Sequence, residues 1–433
     1  MESYFELKKN GTNIHTEIIA GVSSFLATAY IIVVNPSILS QAGMPFSGVL
    51  TATVLVSFFS SVMMGLYARN PILVAPGMGL NAFFTYSAVL GMGISWQVAL
   101  GAVFWSGIVF LILSVFNIRT HIVRAIPRPL RFAIAAGIGL FICLIGFANA
   151  KFIVANPATI IGISPMNPAL LTFLVGLLLT AVLLVKNVKG AMLIGIIFTT
   201  LAAYPLGRWW ATDMEPLIHW KGLLSSPDFS LVMQLDLVNS LQFSVIPVIF
   251  AFVFTDMFDS ISTFVGLAEA ANLMDENGEP RNVKQSLTTD AVATTLAGLV
   301  GSSPGTAYVE SAVGIEAGGR TGLTAVVGGL LFLPFLFLAP LLSIIPPIAT
   351  APALVLVGVF MVRPVTKINW TELDEAIPAF LAMVLIPFTY SITQGIIWGF
   401  LSWTALKLVS GKPKEISLAL WIIDIFAIMA LVL

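Results

Sequence analysis

Long apolar runs recur along the whole chain, parted by short polar stretches. Most of these runs are about 17 residues or longer, enough to cross a bilayer as a helix. The first is predicted over about 18–34. Asn35-Pro36 is expected to close it, because the residue before a proline avoids helical backbone. The second follows at about 48–67. The third opens abnormally, with an extended Pro71-Ile-Leu-Val-Ala-Pro76 and then Gly77-Met-Gly-Leu-Asn81-Ala82-Phe83-Phe84. Prolines and glycines at this depth predict broken backbone, which a membrane tolerates only inside protein or beside a cavity.

Further spans are predicted at about 97–116, 130–147, 170–185 and 191–206, and an eighth at about 241–267. A capping stretch from Ser286 to Asp290 is expected to open the ninth. The tenth is a second broken element, Ser302-Ser-Pro304-Gly305-Thr-Ala-Tyr308-Val-Glu310-Ser311-Ala312. Others fall at about 323–342, 351–362, 377–388 and 393–409. Residues 416–433 are apolar apart from Asp424. The pattern leaves open whether they cross, lie in the interface or pack on the bundle.

Composition agrees with the pattern. The chain is 58% hydrophobic and 9% charged, against about 25% charged in a soluble domain. Mean hydropathy is +1.00. These values predict an all-α polytopic membrane protein surrounded by lipid. The net charge of −1 gives no reason to expect nucleic acid. The single cysteine, Cys143, rules out an internal disulfide and a cysteine metal cluster. His15, His121 and His219 are scattered. No zinc-type His-Glu spacing, nucleophile elbow or phosphate loop is present, so no enzyme, cofactor or metal site is expected.

Residues 1–16 read as a cytoplasmic arm, polar and charged over 1–11 with Lys8 and Lys9, and with no cleavable signal. Arg69, the cluster Arg119, His121, Arg124, Arg128 and Arg131, and the pair Lys186 and Lys189 then all fall inside. The polar stretch 208–240 is expected to be a periplasmic linker, with Trp209, Trp210 and Trp220 as interfacial anchors. It divides the chain into seven spans at 17–207 and seven at 241–410, followed by a C-terminal segment at 411–433. Arg320, Arg363 and Lys367 again fall inside. Such a protein is expected in the inner membrane of a bacterium, with its N-terminus in the cytoplasm.

The two broken elements match. Ala75-Pro76-Gly77 and Ser303-Pro304-Gly305 lie 228 positions apart, and the same shift lays Ala27 on Thr255, Thr28 on Asp256, Ile31 on Asp259 and Ala82 on Glu310. An odd number of spans per half makes the repeat inverted. Interrupted spans at matching places are the sequence sign of a transporter site at the membrane midplane. Two short strands are expected to pair antiparallel there, each turning into a half-helix whose free N–H groups face the site.

Beside that site the eighth span carries Asp256 and Asp259, three apart and therefore on one helical face. A charge at the bilayer centre costs about 2.5–3.5 kcal/mol or more, so such acids face protein or a wet cavity. Asp259 and Glu310 are expected to accept ring N–H groups of a planar heterocycle. Asp256 reads equally as a proton carrier or as an acid hydrogen-bonded across the core. Asp290 reads as a helix-start cap or a relay. Asn81 reads as a ligand to the solute or as a partner for free backbone groups. A same-fold anion transporter, a channel and a membrane protease are the rival classes; the acids weigh against the first and the spacing on one helix against the last.

The motifs Pro76-Gly-Met-Gly-Leu-Asn-Ala-Phe-Phe84, Thr255-Asp-Met-Phe-Asp-Ser-Ile-Ser-Thr-Phe264 and Tyr308-Val-Glu-Ser-Ala-Val-Gly-Ile315, with Gly318-Gly-Arg-Thr-Gly-Leu-Thr324, resemble the nucleobase–cation symporter family. They are most similar to its AzgA-like branch of purine permeases. The resemblance implies fourteen transmembrane segments in two inverted sevens, with segments three and ten broken. It implies a core domain from about 17–116 and 241–342, and a gate domain from about 130–207 and 350–410.

It further implies proton-coupled uptake of a purine nucleobase, adenine or guanine and hypoxanthine, with sodium coupling as the alternative. By motif position, Asp259, Glu310, Tyr308 and the run Asn81, Ala82 and Phe83 would line the base. Ala27, Thr255 and Ser311 border the same elements. Asp256, Asp259, Glu310 and Asp290 would serve proton coupling. A homodimer through the gate helices is implied by the resemblance alone. Ser262 departs from the pattern, standing where many such proteins have glycine.

Overall fold

The computed structural model describes residues 2–116, 127–210, 222–271, 273–274 and 280–432. Arg119, His121 and Arg124, the anchor Trp220 and the turn expected at 275–278 lie outside them. The first half runs through α1 (Ile14–Thr28), α2 (Ile31–Leu39), α3 (Phe46–Met63), β1 (Val74–Pro76), α4 (Met78–Ala82) and α5 (Trp96–Val115). It continues with α6 (Arg128–Asn149), the strands β2 (Ile153–Asn156) and β3 (Ile160–Ile163), α7 (Pro168–Val185) and α8 (Ala191–Trp210).

The second half holds α9 (Ile246–Ala271), α10 (Val283–Val300), β4 (Gly305–Ala307), α11 (Ala312–Glu316) and α12 (Gly322–Leu330). Then come α13 (Ala339–Leu342), α14 (Pro347–Val362), α15 (Leu373–Thr389), α16 (Ile392–Val409) and α17 (Leu418–Val432). Among the described residues, seven helical spans are long and apolar enough to cross a membrane by themselves. The other segments are shorter or broken. The helical architecture with two broken segments is as the sequence predicts.

The helices pack most densely in two groups. In one, α5 and α3 hold α10, while α1 and α3 hold α12. In the other, α6 holds α14 and α15, α15 packs on α16, and α7 packs on α8 and α14. Small residues allow the approach, since lipid supplies no hydrophobic drive between membrane helices. At the crossing of α6 and α14, a Cβ added to Gly139 would lie 3.0 Å from the carbonyl oxygen of Gly358. Any side chain there would push the helices apart.

The broken spans meet as the sequence predicts. β1 and β4 pair antiparallel, with Val74 opposite Ala307, Ala75 opposite Thr306 and Pro76 opposite Gly305. The amide of Gly77 donates to Pro304 O (2.9 Å) and that of Tyr308 to Leu73 O (2.9 Å), which extends the ladder at both ends. A pair of strands leaves two open edges, and lipid cannot fill them. Ser61 of α3 closes one by accepting from Val74 N and donating to Val74 O, both at 3.0 Å. Thr294 of α10 closes the other by reaching Gly305 O at 3.1 Å. On either side of β1 the backbone turns π-helical, at Met64–Ala68 after α3 and at Phe83–Gly91 after α4.

Three local expectations are corrected. The first helix does not close at Asn35-Pro36: α2 runs through Pro36, and the break falls earlier, at Ala29 and Tyr30. Buried Asn35 is held in the helix by tertiary bonds, donating to Thr53 (2.8 Å) and Ser302 (3.1 Å) and accepting from Ser303 (3.2 Å). These outweigh the local bias before proline. The ninth span does not start at Ser286. α10 begins at Val283 after Asn282 in left-handed backbone (φ 52°), which places Asp290 two turns inside the helix, where it caps nothing. The arm is not wholly polar either: Phe5 and Leu7 are buried against Leu323.

Two features had no sequence expectation. β2 and β3 form a hairpin between α6 and α7. Glu17 of α1, fully buried, caps the start of α12. It accepts from the amides of Arg320 (2.9 Å), Thr321 (3.4 Å) and Thr324 (3.2 Å) and from the Thr324 hydroxyl (2.6 Å). The C-terminal α17 packs on α16, where Thr404 donates to buried Asp424 at 2.5 Å.

Glu17→Ala leaves several buried N–H groups unpaired, and each such group costs about 1–3 kcal/mol. Thermal unfolding in detergent is expected to show a loss of at least about 2 kcal/mol. Glu6→Ala, which removes only an exposed pair with Lys9, is expected to stay within about 0.5 kcal/mol of wild type.

Candidate functional site

α9 carries Thr255, Asp256, Asp259 and Ser260 past the paired strands. Three residues turn a helix by about 300° and advance it by about 4.5 Å, so the two acids point in similar but not identical directions. Their surroundings differ accordingly. Asp256 is 1% exposed and accepts a 2.5 Å hydrogen bond from Thr294 of α10. Asp259 is half-buried, with Thr306 of β4 and the carboxylate of Glu310 as its polar neighbours. Of the two, it is therefore the one that looks toward the broken span.

Asp290 is completely buried beside the Ser260 hydroxyl and the amide of Ala307, and among the described residues neither of its oxygens has a partner in good hydrogen-bond geometry. Ser260 itself shares a 2.8 Å hydrogen bond with Thr306. The carboxylates neighbour one another: Glu310 faces Asp259, and Asp259, Asp290 and Asp256 each interact with the other two. The structure thus brings together all four acids singled out from the sequence. Among the described residues, none of them forms an ion pair, and no group of His, Cys, Asp and Glu is arranged to hold a metal.

Glu310 follows β4 in a short 3₁₀ turn, Val309–Ser311, that opens the half-helix α11. It is half-buried, and its Oε1 accepts from the Tyr30 hydroxyl at 2.6 Å. Tyr308 is buried, and its hydroxyl donates to the carbonyl of Pro76 at 2.5 Å, tying one broken span to the other. The Tyr30 and Tyr308 rings lie 6.5 Å apart between centroids and are tilted by 49°.

The remaining sequence candidates divide. Asn81 is fully buried; its Nδ2 meets only the sulfur of Met78 (3.8 Å), and its Oδ1 has no partner among the described residues. Ala82 and Phe83 are buried, and Phe83 packs edge-on against Phe252 at 4.8 Å. Ala27 is half-buried on α1, and Thr255 is buried, its hydroxyl without a partner among the described residues. Ser311 turns to the backbone instead, accepting from Leu73 N at 2.9 Å. It holds the start of the strand.

Sequence reasoning missed Tyr30, Thr294, Ser260 and Thr306. Tyr30 left one trace: the shift of 228 lays it on Phe258, next to Asp259. Nothing in the local sequence marks Thr294 among the threonines of its helix.

Acceptor carboxylates, two half-helix N-termini and aromatic rings gathered at crossed, broken spans define an integral membrane transport protein. Residues 15–397 match the Permease family (Xan_ur_permease), and the chain belongs to that family. It is 41% identical over 435 residues to the adenine permease AdeP of Escherichia coli strain K12, covering 100% of this chain and 96% of that one. It is 41% identical over 419 residues to the guanine/hypoxanthine permease PbuO of Bacillus subtilis, covering 95% and 96%. In fold it matches the transmembrane domain of a cyanobacterium bicarbonate transporter, BicA, with a TM-score of 0.65 at 16% identity over 89% of this chain and 97% of that chain. The family is one of permeases, not of enzymes.

Thr294→Val removes the partner of Asp256 and opens the edge of β4. It is expected to lower stability in detergent by about 1–3 kcal/mol. Thr295→Val, which removes only a bond to Ala291 O within its own helix, is expected to cost less than half as much.

Proposed function

We propose that this permease takes up purine nucleobases, adenine or guanine and hypoxanthine, coupled to protons and by alternating access. The observation that carries the reading is the neighbouring pair Asp259 and Glu310, at the point where the two broken spans cross. Carboxylates are acceptors, and a purine offers ring and exocyclic N–H donors at matching spacing. The positive ends of α4 and α11 add electrostatics suited to a purine carbonyl or ring nitrogen. Relatives named as adenine and guanine/hypoxanthine permeases support the same class.

In this reading one of Asp256, Asp259 and Glu310 takes the coupling proton, with Asp290 as relay. The proton neutralises a site that would otherwise cross the membrane charged, and it adds a donor for the base. The two packing groups are the core and gate of the cycle. Among the described residues, hydrogen bonds join them at both ends. Ser87 donates to Tyr390 O (2.9 Å) and Asn149 to Tyr86 (3.3 Å) at one end, and Lys189 donates to Ser23 (3.0 Å) at the other. Alternating access breaks each set in turn. The protein is read as lying in a bacterial inner membrane with its N-terminus inside, and as a homodimer through the gate helices.

Uptake of radiolabelled adenine, guanine and hypoxanthine into proteoliposomes tests the reading, with imposed proton or sodium gradients. Accumulation of a purine driven by protons and indifferent to sodium is expected. Asp259→Asn and Glu310→Gln should each cut it by at least about tenfold, the equivalent of one lost hydrogen bond to a charged group. Full proton-driven uptake in both variants would overturn the scheme. Sodium-driven uptake points to the sodium-coupled alternative, and transport of small anions with no purine uptake points to an anion transporter.

A further inference from the structure

Tyr30 stands where the first span breaks. Between α1 and α2 the helical ladder gives way to shorter turns, with Ile32 N bonded to Ala29 O (3.2 Å) and Val33 N to Tyr30 O (3.1 Å). The side chain is 1% exposed, and its hydroxyl reaches across 280 positions to Glu310 Oε1 at 2.6 Å. Among the described residues that hydroxyl has no other hydrogen-bond partner. The neighbouring tyrosine cannot substitute for it, because the Tyr308 hydroxyl is directed to the carbonyl of Pro76.

A carboxylate has two oxygens and rotates about its terminal bond unless something holds it. A buried phenol donating to one oxygen fixes that rotation. It also leaves the second oxygen for whatever enters the half-exposed side of the residue. Besides Tyr30, the polar groups beside this carboxylate are its own backbone N–H and the carboxylate of Asp259. The hydroxyl has a single hydrogen, so while it donates, Oε1 is an acceptor.

We infer that Tyr30 is the positioning residue for Glu310: it locks the carboxylate so that one oxygen is reserved for a purine N–H. This inference rests on the purine reading above. Tyr30 belongs to the first repeat and Glu310 to the second, so the bond also lets the break in one half set the binding geometry in the other.

The test uses the full chain in proteoliposomes and compares KM with Vmax. Tyr30→Phe keeps the ring and removes the donor; KM for purine is expected to rise about tenfold, with Vmax within about twofold. Thr28→Val removes another buried hydroxyl two residues away, one that bonds only within its own helix, and is expected to leave KM within about twofold. Glu310→Asp withdraws the carboxylate from the hydroxyl. It should raise KM about as much as Tyr30→Phe, and adding Tyr30→Phe to it should cost less than about twofold more.

A KM for Tyr30→Phe within twofold of wild type overturns the inference. So does a full additional loss on the Glu310→Asp background. If Tyr30→Phe does not fold, a wild-type KM in Glu310→Asp overturns it instead. Wild-type protein that takes up no purine overturns the functional reading and this inference with it; wild-type purine uptake with an unchanged Tyr30→Phe KM overturns this inference alone.

Discussion

Inside a bilayer every backbone N–H and C=O must find its partner within the protein. The two broken spans violate the simplest solution, a continuous helix, and much of the structure repairs that breach. The strands pair with each other. Ser61 and Thr294 close their outer edges. Ser311 holds the amide of Leu73, and the Tyr308 hydroxyl takes the carbonyl of Pro76. Asn35 ties the end of the first span to Ser302 and Ser303, just before the second strand. Small hydroxyl residues suit this work because they carry a donor and an acceptor in little volume.

The repair also makes the site. Once the backbone of the strands is satisfied from the sides, α4 and α11 present their N-terminal ends beside the broken elements. Acids placed opposite these ends gain favourable electrostatics and are shielded from lipid. Polar neighbours then give the acids different characters. Asp256 is drawn to Thr294 and sealed, whereas Asp259 and Glu310 keep an exposed side. The acids thus stand in graded burial, with no cation paired to any of them among the described residues.

Buried charge recurs at the periphery in a different role. Lys407 is 1% exposed and pairs with Asp374 at 2.9 Å and Glu415 at 2.6 Å. Lys412 joins Asp374 at 2.9 Å. Desolvation makes such a pair a poor source of net stability, but losing one partner is costly, so the network fixes how α15, α16 and the following turn sit together. Glu17 does the same between α1 and α12. These charges hold helix ends, and the central acids do not.

By itself the sequence determined the helical membrane class, the two breaks and the cluster of acids. Hydropathy follows from chain composition, and a proline-glycine pair in an apolar span disrupts a helix wherever it stands. The repeat was legible because both breaks carry the same residues at a constant offset. What tertiary structure decided were the partners. Whether Pro36 ends a helix depends on the bonds made by Asn35 to other spans. Whether Asp290 caps or is buried depends on where α10 starts, which Asn282 sets with left-handed backbone. Tyr30 and Glu310 are 280 positions apart, and no local pattern joins them. Short-range rules fix which residues prefer helix or lipid; only the packed fold brings distant hydroxyls and carboxylates within hydrogen-bond reach.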